Sequence, residues 1–285
     1  MDMTKEKTDL HLHSYFSDGT MSPAALVERA VSLGQEKVAI TDHDGADGVR
    51  EALEAGKRFG IEVVPGIEFS TVTDDGIRIH MLGYDFDIED RRMSLVLDSL
   101  KKIRKERNVK LLKVLNDMGY DISAEELEPK DGRTYVGKPD IAIVMAHKGY
   151  IDDPNDAFEP DGVFSTPQVK AIRKSEIDTF DAMRLIHITG GKAVLAHPGK
   201  LKRLKKPGDP SQTAEKGTED FYQAVEALVE RLIDKGGLDG IECRHTDHTE
   251  EDCRRFRQIA EKYGLIMTQG SDYHGPELSG HRDID

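Results

Sequence analysis

The sequence has no tryptophan and two cysteines, Cys243 and Cys253. Two thiols without zinc-finger spacing make neither a disulfide framework nor a thiolate metal site, and a reducing, cytoplasmic setting is the simpler expectation. Positive charge is in deficit, with 40 Lys and Arg against 54 Asp and Glu and a formal net charge of -14. Such a surface repels long nucleic acid unless cations or a local basic patch reverse the field. No stretch approaches the ~18 apolar residues of a membrane helix, and Met1 to Lys7 carries no apolar signal-peptide core, so no membrane partner is expected. Internal repeats and low-complexity tracts are also missing. The chain lacks the G-x-S-x-G nucleophile elbow, the P-loop and G-x-G-x-x-G, so a nucleotide here is expected as substrate rather than as cofactor.

What is present is a strand–helix rhythm with metal-type side chains at its strand ends. Asp9-Leu10-His11-Leu12-His13 reads as a strand from Thr8, with His11 and His13 on one face and Leu10 and Leu12 on the other. Asp18 follows in Ser17-Asp18-Gly19. Ser22-Pro23 opens a helix ending at Gly34. Val38–Thr41 runs into Asp42-His43-Asp44, and a helix from about Asp47 to Phe59 closes at Gly60. Ile61–Pro65 leads to Glu68, and Ile77–Tyr84 carries His80 after the turn signal Asp74-Asp75-Gly76. After an interruption, Ser175 caps a helix to about Ile188. Lys192–Ala196 ends in His197, a basic loop runs from Gly199 to Gly217, and a helix spans Asp220–Lys235. Strand Gly240–Cys243 and a helix capped at Thr249 precede Leu265–Thr268, which delivers Asp272 and His274.

His11, His13, Asp18, His43, Glu68, His80, His197, Asp272 and His274 thus form a set of six imidazoles and three carboxylates. One catalytic zinc takes about three protein ligands and keeps an open position. The set therefore suits two or three divalent ions, and mixed N/O donors without thiolate favour Mn, Fe or Zn. His245 and His248 fit no shell and read as loop histidines. His147, His187 and His281 read as structural or surface residues. Asp42 and Asp44 flank His43 and read as partners that orient ring N–H groups.

Residues 90–174 break the rhythm. Arg91 to Met118 is one long helical pattern, with apolar positions from Leu95 to Leu115. A short helix opens at Ser123 with capping-box spacing, Pro139–His147 is a further helix, and Asp152 to Pro167 is loop. This segment reads as a helical insertion, a lid or substrate domain, between 1–89 and 175–285.

Asp-Leu-His-Leu-His-Ser, Ser-Asp-Gly, Thr-Asp-His-Asp, Gly-Ile-Glu-Phe-Ser, His80 with Leu82-Gly83-Tyr84, Ala-His-Pro and Gly-Ser-Asp-Tyr-His-Gly together resemble the PHP (polymerase and histidinol phosphatase) family. The resemblance is to its stand-alone metal-dependent phosphoesterases and spans Asp9 to Gly275. It implies an α/β fold, a distorted (β/α)7 barrel with a small inserted helical domain. It also implies three metal subsites: His11, His13, Glu68 and Asp272; Glu68, His80 and His197, with Glu68 bridging; and Asp18, His43 and His274. This branch tends to show Arg-x-x-Arg-Asn in the insertion, matched by Arg104, Arg107 and Asn108. It also tends to show Gly-Arg-Pro-His, which here reads Gly137-Lys138-Pro139-Asp140. Lys keeps the charge but loses the bidentate fork, and Asp replaces a donor by an acceptor of the type that also reaches a metal.

The function implied is hydrolysis of a phosphate monoester of a small nucleotide, an AMP-type monophosphate or a 3′,5′-bisphosphate, by metal-activated hydroxide. His43, Asp272 and His274 are assigned to the chemistry, with His43 a general acid if it does not ligate. Arg104, Arg107, Lys138 and Asp140 are assigned to the substrate. The alternatives are a 5′-to-3′ exoribonuclease on short single-stranded RNA, a histidinol-phosphate phosphatase, and a non-catalytic metal-stabilised module. No obligate protein partner is evident.

Overall fold

A computed structural model describes residues 7–127, 136–172 and 176–276. In chain order the elements are β1 (Thr8–Leu12), α1 (Pro23–Ser32), β2 (Lys37–Ile40), α2 (Val49–Phe59), β3 (Glu62–Val72), β4 (Arg78–Tyr84), α3 (Arg91–Asp117), α4 (Lys138–His147), α5 (Pro167–Lys170), β5 (Ile177–Asp178), α6 (Thr179–Ile188), β6 (Lys192–Leu195), β7 (Lys205–Lys206), β8 (Asp209–Thr213), α7 (Glu219–Gly236), β9 (Gly240–His245), α8 (Glu250–Tyr263) and β10 (Ile266–Gly270). The helices start and stop on local chemistry. Ser22 Oγ accepts from Ala25 N–H at α1, Thr249 and Asp252 form a capping box at α8, and left-handed Gly60, Gly237 and Gly264 end α2, α7 and α8.

Seven strands form a nearly closed barrel in the order β1-β2-β3-β4-β6-β9-β10, with β5 pairing beside β3. Closure comes from β10 and its continuation lying along β1. Gln269 Nε2 donates to Thr8 O at 2.9 Å, Asp272 N–H to His11 O at 2.9 Å, and His13 N–H to Tyr273 O at 3.0 Å. One strand breaks the parallel rhythm. Asp74-Asp75-Gly76, with Gly76 at φ 82, turns the chain into a hairpin, and β4 runs antiparallel to both β3 and β6.

Leu10, Ala39, Val64, Leu82, Tyr84 and Val194 of the strands, with Ala196 just past β6, form one buried cluster. Outside the barrel, α6, α7 and α8 pack on β3, β4, β6 and β9, and α1 and α2 pack on β1 and β2. The segment between β4 and β5 has a core of its own, built from Leu111, Leu112, Leu115, Ile141, Met145, Phe164 and neighbours. Helix α3 bridges the two. Met93 and Leu97 pack into the barrel-side core, and Leu111 onward into the inserted one.

Three expectations need correction. The basic segment after His197 is not plain loop, because Lys205 pairs with Thr213 across the Pro207-Gly208 turn, with Gly208 at φ 80. Helix α6 begins at Thr179 on an Asp178 cap rather than at Ser175, which lies outside the described residues, as does His281. Strand β3 runs well past Pro65 to Val72, since Glu68 and Ser70 pair with Leu82 and His80 in the hairpin.

Candidate metal centre and active site

Local backbone pairing brings the ligand-type side chains to one rim. The chain beyond β2 stays paired to β3: Glu68 N–H donates to Asp42 O, and Asp44 N–H to Glu68 O, which sets His43 beside Glu68. The Leu12–Tyr273 bridge sets Asp272 and His274 beside His11 and His13. Residues 14–20 fold back against His13: Ser14 O accepts from Ser17 and Gly19 N–H, and a Cβ on Gly19 would lie 2.0 Å from His13 O. This tight turn delivers Asp18. Because β4 is reversed, His80 near its start reaches the same rim as the C-terminal ends of the parallel strands. Gly270 lets β10 approach β1, since a Cβ there would lie 2.1 Å from that of His11.

Glu68, fully buried, is the centre. Its Oε2 lies 3.3 Å from His11 Nε2, 3.2 Å from His13 Nε2 and 3.0 Å from His43 Nδ1. Its Oε1 lies 2.8 Å from His80 Nδ1 and 2.9 Å from His197 Nε2. Asp272 Oδ1 is 3.1 Å from His13 Nε2 and 3.6 Å from His11 Nε2. Asp18 is the hub of a neighbouring group, 3.2 Å from His274 Nε2, 3.6 Å from His13 Nδ1 and 3.7 Å from His43 Nε2. His11, His13, Glu68 and Asp272 present donor atoms close enough for one ion, as do His13, Asp18, His43 and His274, then His43, Glu68 and His80, and also His11, Glu242 and His245.

The donors fit metal better than they fit one another. His11 Nε2, His13 Nε2, His43 Nδ1, Glu68 Oε2 and Asp18 Oδ1 are buried and face each other at contact distance without forming a hydrogen bond. Buried polar atoms are costly to leave unsatisfied, and a divalent ion satisfies several at once. Backbone strain is concentrated at the same rim. Asp44, His197 and Asp272 have φ of 51°, 25° and 55°, a region that costs non-glycine residues on the order of 1–3 kcal/mol each.

Electrostatics divides the imidazoles. Burial opposes charge on His11 and His13, but Glu242, Glu68 and Asp272 hold His11 well above its usual range, and Asp272, Glu68 and Asp18 raise His13 to about 10. Burial lowers His43 to about 3 and His197 to about 4 despite Glu68. Burial thus favours the neutral form of the His43 ring, the form that ligates a metal. Burial also opposes charge on Glu68, yet His43, His80 and His11 keep it ionised, well below the carboxylate range. Asp18 and Asp272 are held down in the same way by the rings around them.

The residues assigned to substrate take different places. Arg104 reaches the rim but donates to Asp44 Oδ2 at 2.7 Å and His43 O at 3.2 Å, so it ties α3 to the site. Asp140 Oδ2 accepts from Gly137 N–H at 2.7 Å and caps α4, which accounts for an acceptor where a donor was expected. Lys138 lies with its Nζ 5.0 Å from the Phe164 ring, and burial plus the charges of Arg107 and Lys170 lower its pKa. The acids beside His43 hold backbone and hydroxyl groups of the rim. Asp42 accepts from Ser14 N–H, Ser14 Oγ and Ser17 Oγ, and Asp44 from Ser70 N–H. His187 pairs with Asp239 at 2.8 Å, away from the rim.

Four residues at the site were not singled out as site residues from sequence. Glu242 Oε1 accepts from His11 Nδ1–H at 3.0 Å, and its Oε2 from His197 N–H at 2.7 Å. His245 Nε2–H donates to Asp272 Oδ2 at 3.3 Å, and His248 Nε2 accepts from Gly199 N–H at 3.1 Å. Lys200 Nζ donates to Asp272 Oδ2 at 2.7 Å.

The PHP domain model matches residues 9–243. Among curated proteins the chain is 32% identical to a phosphoribosyl 1,2-cyclic phosphate 1,2-diphosphodiesterase of Eggerthella lenta, covering 94% of each chain. It is 33% identical to a 5′-3′ exoribonuclease of Haemophilus influenzae, covering 99% of this chain and 96% of that one. It is 28% identical to a 3′,5′-nucleoside bisphosphate phosphatase of Chromobacterium violaceum, covering 97% and 90%. Among solved structures, one assigned as a metal-dependent phosphoesterase from Bifidobacterium adolescentis superposes with a TM-score of 0.77 at 29% identity, covering 97% and 90%. An amidohydrolase from Chromobacterium violaceum with bound sulfate gives 0.79 at 26%, covering 98% and 91%.

Proposed function

The chain belongs to the PHP domain family of metal-dependent phosphoesterases, and on that premise we propose that its substrate is the phosphate monoester of a small nucleotide. The observation that carries the reading is Glu68, whose two oxygens are each shared among imidazole nitrogens from different strands. His11, His13, Glu68 and Asp272 would hold one ion, Glu68, His80 and His197 a second, and Asp18, His43 and His274 a third, with Mn, Fe or Zn as the candidates for this N/O donor set. Bound divalent ions neutralise phosphoryl oxygens and bring the pKa of water towards neutrality.

The rest falls to this chain's own side chains. Burial opposes charge on Lys200, but Asp272 raises its pKa, so it is cationic at neutral pH and stands at the rim to meet a phosphoryl oxygen. Arg107, Lys138 and Lys170 gather like charge on the inserted segment, an arrangement relieved by an anion such as a second phosphate. The insertion, residues 90–174, is the domain that covers the substrate. The net charge of -14 disfavours long strands. A second reading, 5′-to-3′ trimming of short RNA, is favoured by the basic stretch from Lys200 to Lys206 beside the site.

The test is phosphate release by Mn²⁺-loaded protein from AMP, adenosine 3′,5′-bisphosphate, a ribose cyclic phosphate, histidinol phosphate and a 5′-phosphorylated short RNA. The bisphosphate or AMP is expected to give the highest kcat/KM. Faster mononucleotide release from the RNA would install the second reading, and preference for histidinol phosphate would refute both.

A further inference from the structure

Strand β9 and the loop after it give no ligand to the proposed ions, yet they touch three of the candidate ligands. A defect in the strand makes this possible. Thr268 pairs with Glu242 and Gln269 with Arg244, which leaves Cys243 as an extra, unpaired residue. In a regular strand Glu242 and His245 would face opposite sides. The bulge cancels one step of alternation, and both side chains become buried on the site face, with 0% and 3% exposure.

From the geometry we propose that Glu242 is a positioning residue for the metal centre, supported by His245 and His248. Three contacts carry the assignment. The first fixes which ring nitrogen is left to bind an ion. A carboxylate can only accept, so His11 Nδ1–H must donate to Glu242 Oε1, and Nε2 is the atom left to face Glu68 and Asp272. The second holds a strained turn. Glu242 Oε2 accepts from the N–H of His197, whose φ is 25°, and His248 accepts from Gly199 N–H two residues on. His248 Nδ1–H in turn donates to Cys243 O, so the bulge itself anchors the ring. The third separates the oxygens of Asp272. His245 Nδ1 accepts from Asp247 N–H, so its Nε2 carries the proton and donates to Asp272 Oδ2. Oδ1 is left for the side where His11 and His13 converge. One carboxylate thus sets the donor atom of His11 and the backbone of His197, which belong to two different proposed ion sites.

The inference rests on reading the rim as a metal centre. The experiment compares wild type, Glu242→Gln and Glu242→Ala. Zn²⁺ affinity is read by competition with a chromophoric chelator, and ligand geometry by the visible absorption of the Co²⁺-loaded proteins. Gln keeps the shape but has one acceptor oxygen where two N–H groups need one, so its NH₂ meets a donor head-on. Both variants are expected to bind Zn²⁺ about 10–100-fold more weakly, with a changed Co²⁺ spectrum and unchanged far-UV circular dichroism in Glu242→Gln. Equal affinity and an identical spectrum in Glu242→Gln would overturn the assignment while leaving the metal centre intact. Loss of fold in this isosteric variant would also overturn it, making Glu242 a core residue. Wild type that takes up no Zn²⁺ would defeat the metal-centre reading itself.

Discussion

Replacing Glu68 with glutamine is expected to lower kcat/KM by about 10³-fold or more. The carboxylate is the one group shared by the two ion sites proposed around His11 and His80. Removing its charge weakens both, and metal assistance is worth several kcal/mol of transition-state stabilisation, at about 1.4 kcal/mol per tenfold. The ionised state of Glu68 depends on its surroundings: burial opposes it, and His43, His80 and His11 sustain it. Glutamine fills the same volume, so the loss should appear in bound metal and in rate before it appears in fold. Metal content by emission spectrometry, alongside phosphate release, checks this. A variant that keeps full metal content and a rate within tenfold of wild type would remove Glu68 from the centre.

Replacing Arg104 with alanine is expected to cost about 3–5 kcal/mol of stability, the usual penalty for stripping one partner from a buried ion pair. Arg104 and Asp44 keep only 7% and 2% of their side-chain surface exposed, and the guanidinium bridges Asp44 Oδ2 and His43 O at the end of β2. The pair fastens α3, and with it the inserted core, to the loop that carries His43. Urea unfolding measures the cost. Arg104→Lys should recover part of it, since one ammonium can stand in for the single Nη2 that donates to both acceptors but not for the rest of the planar guanidinium. A substrate-binding role would look different, with KM raised and the urea midpoint unchanged. That pattern would support the substrate assignment implied by the family's Arg-x-x-Arg-Asn run.

The sequence shows the ligand-type residues because each sits in a short run whose period and punctuation are local. His11 and His13 alternate with Leu10 and Leu12, and Asp18 stands in a Gly turn. What was not legible depends on direction and on register. Strand ends were expected to carry the ligands, but His80 lies near the start of its strand and reaches the rim only because β4 is antiparallel. His245 reads in the sequence as a loop histidine that fits no shell, and Glu242 carries no signal of its own; that both face the site depends on a bulge at Cys243, which cannot be read without the partner strand. Asp140 was legible in another way. Gly137, a Pro at the helix start and Asp at the third position are a helix-start signature, and that local role is the one the structure shows. Arg104 is on the expected helix face, but a single sequence does not reveal that its partner is Asp44.

The most direct measurement is metal add-back. Protein stripped by a chelator and dialysed is assayed for phosphate release from adenosine 3′,5′-bisphosphate and AMP before and after Mn²⁺, with His13→Ala in parallel. His13 touches both the Glu68 and the Asp18 groups, so its loss should damage more than one ion site. The account predicts no release from stripped protein, recovery on adding Mn²⁺, and little or no recovery in His13→Ala. Equal turnover by stripped and reloaded protein, or full recovery in the variant, would contradict it.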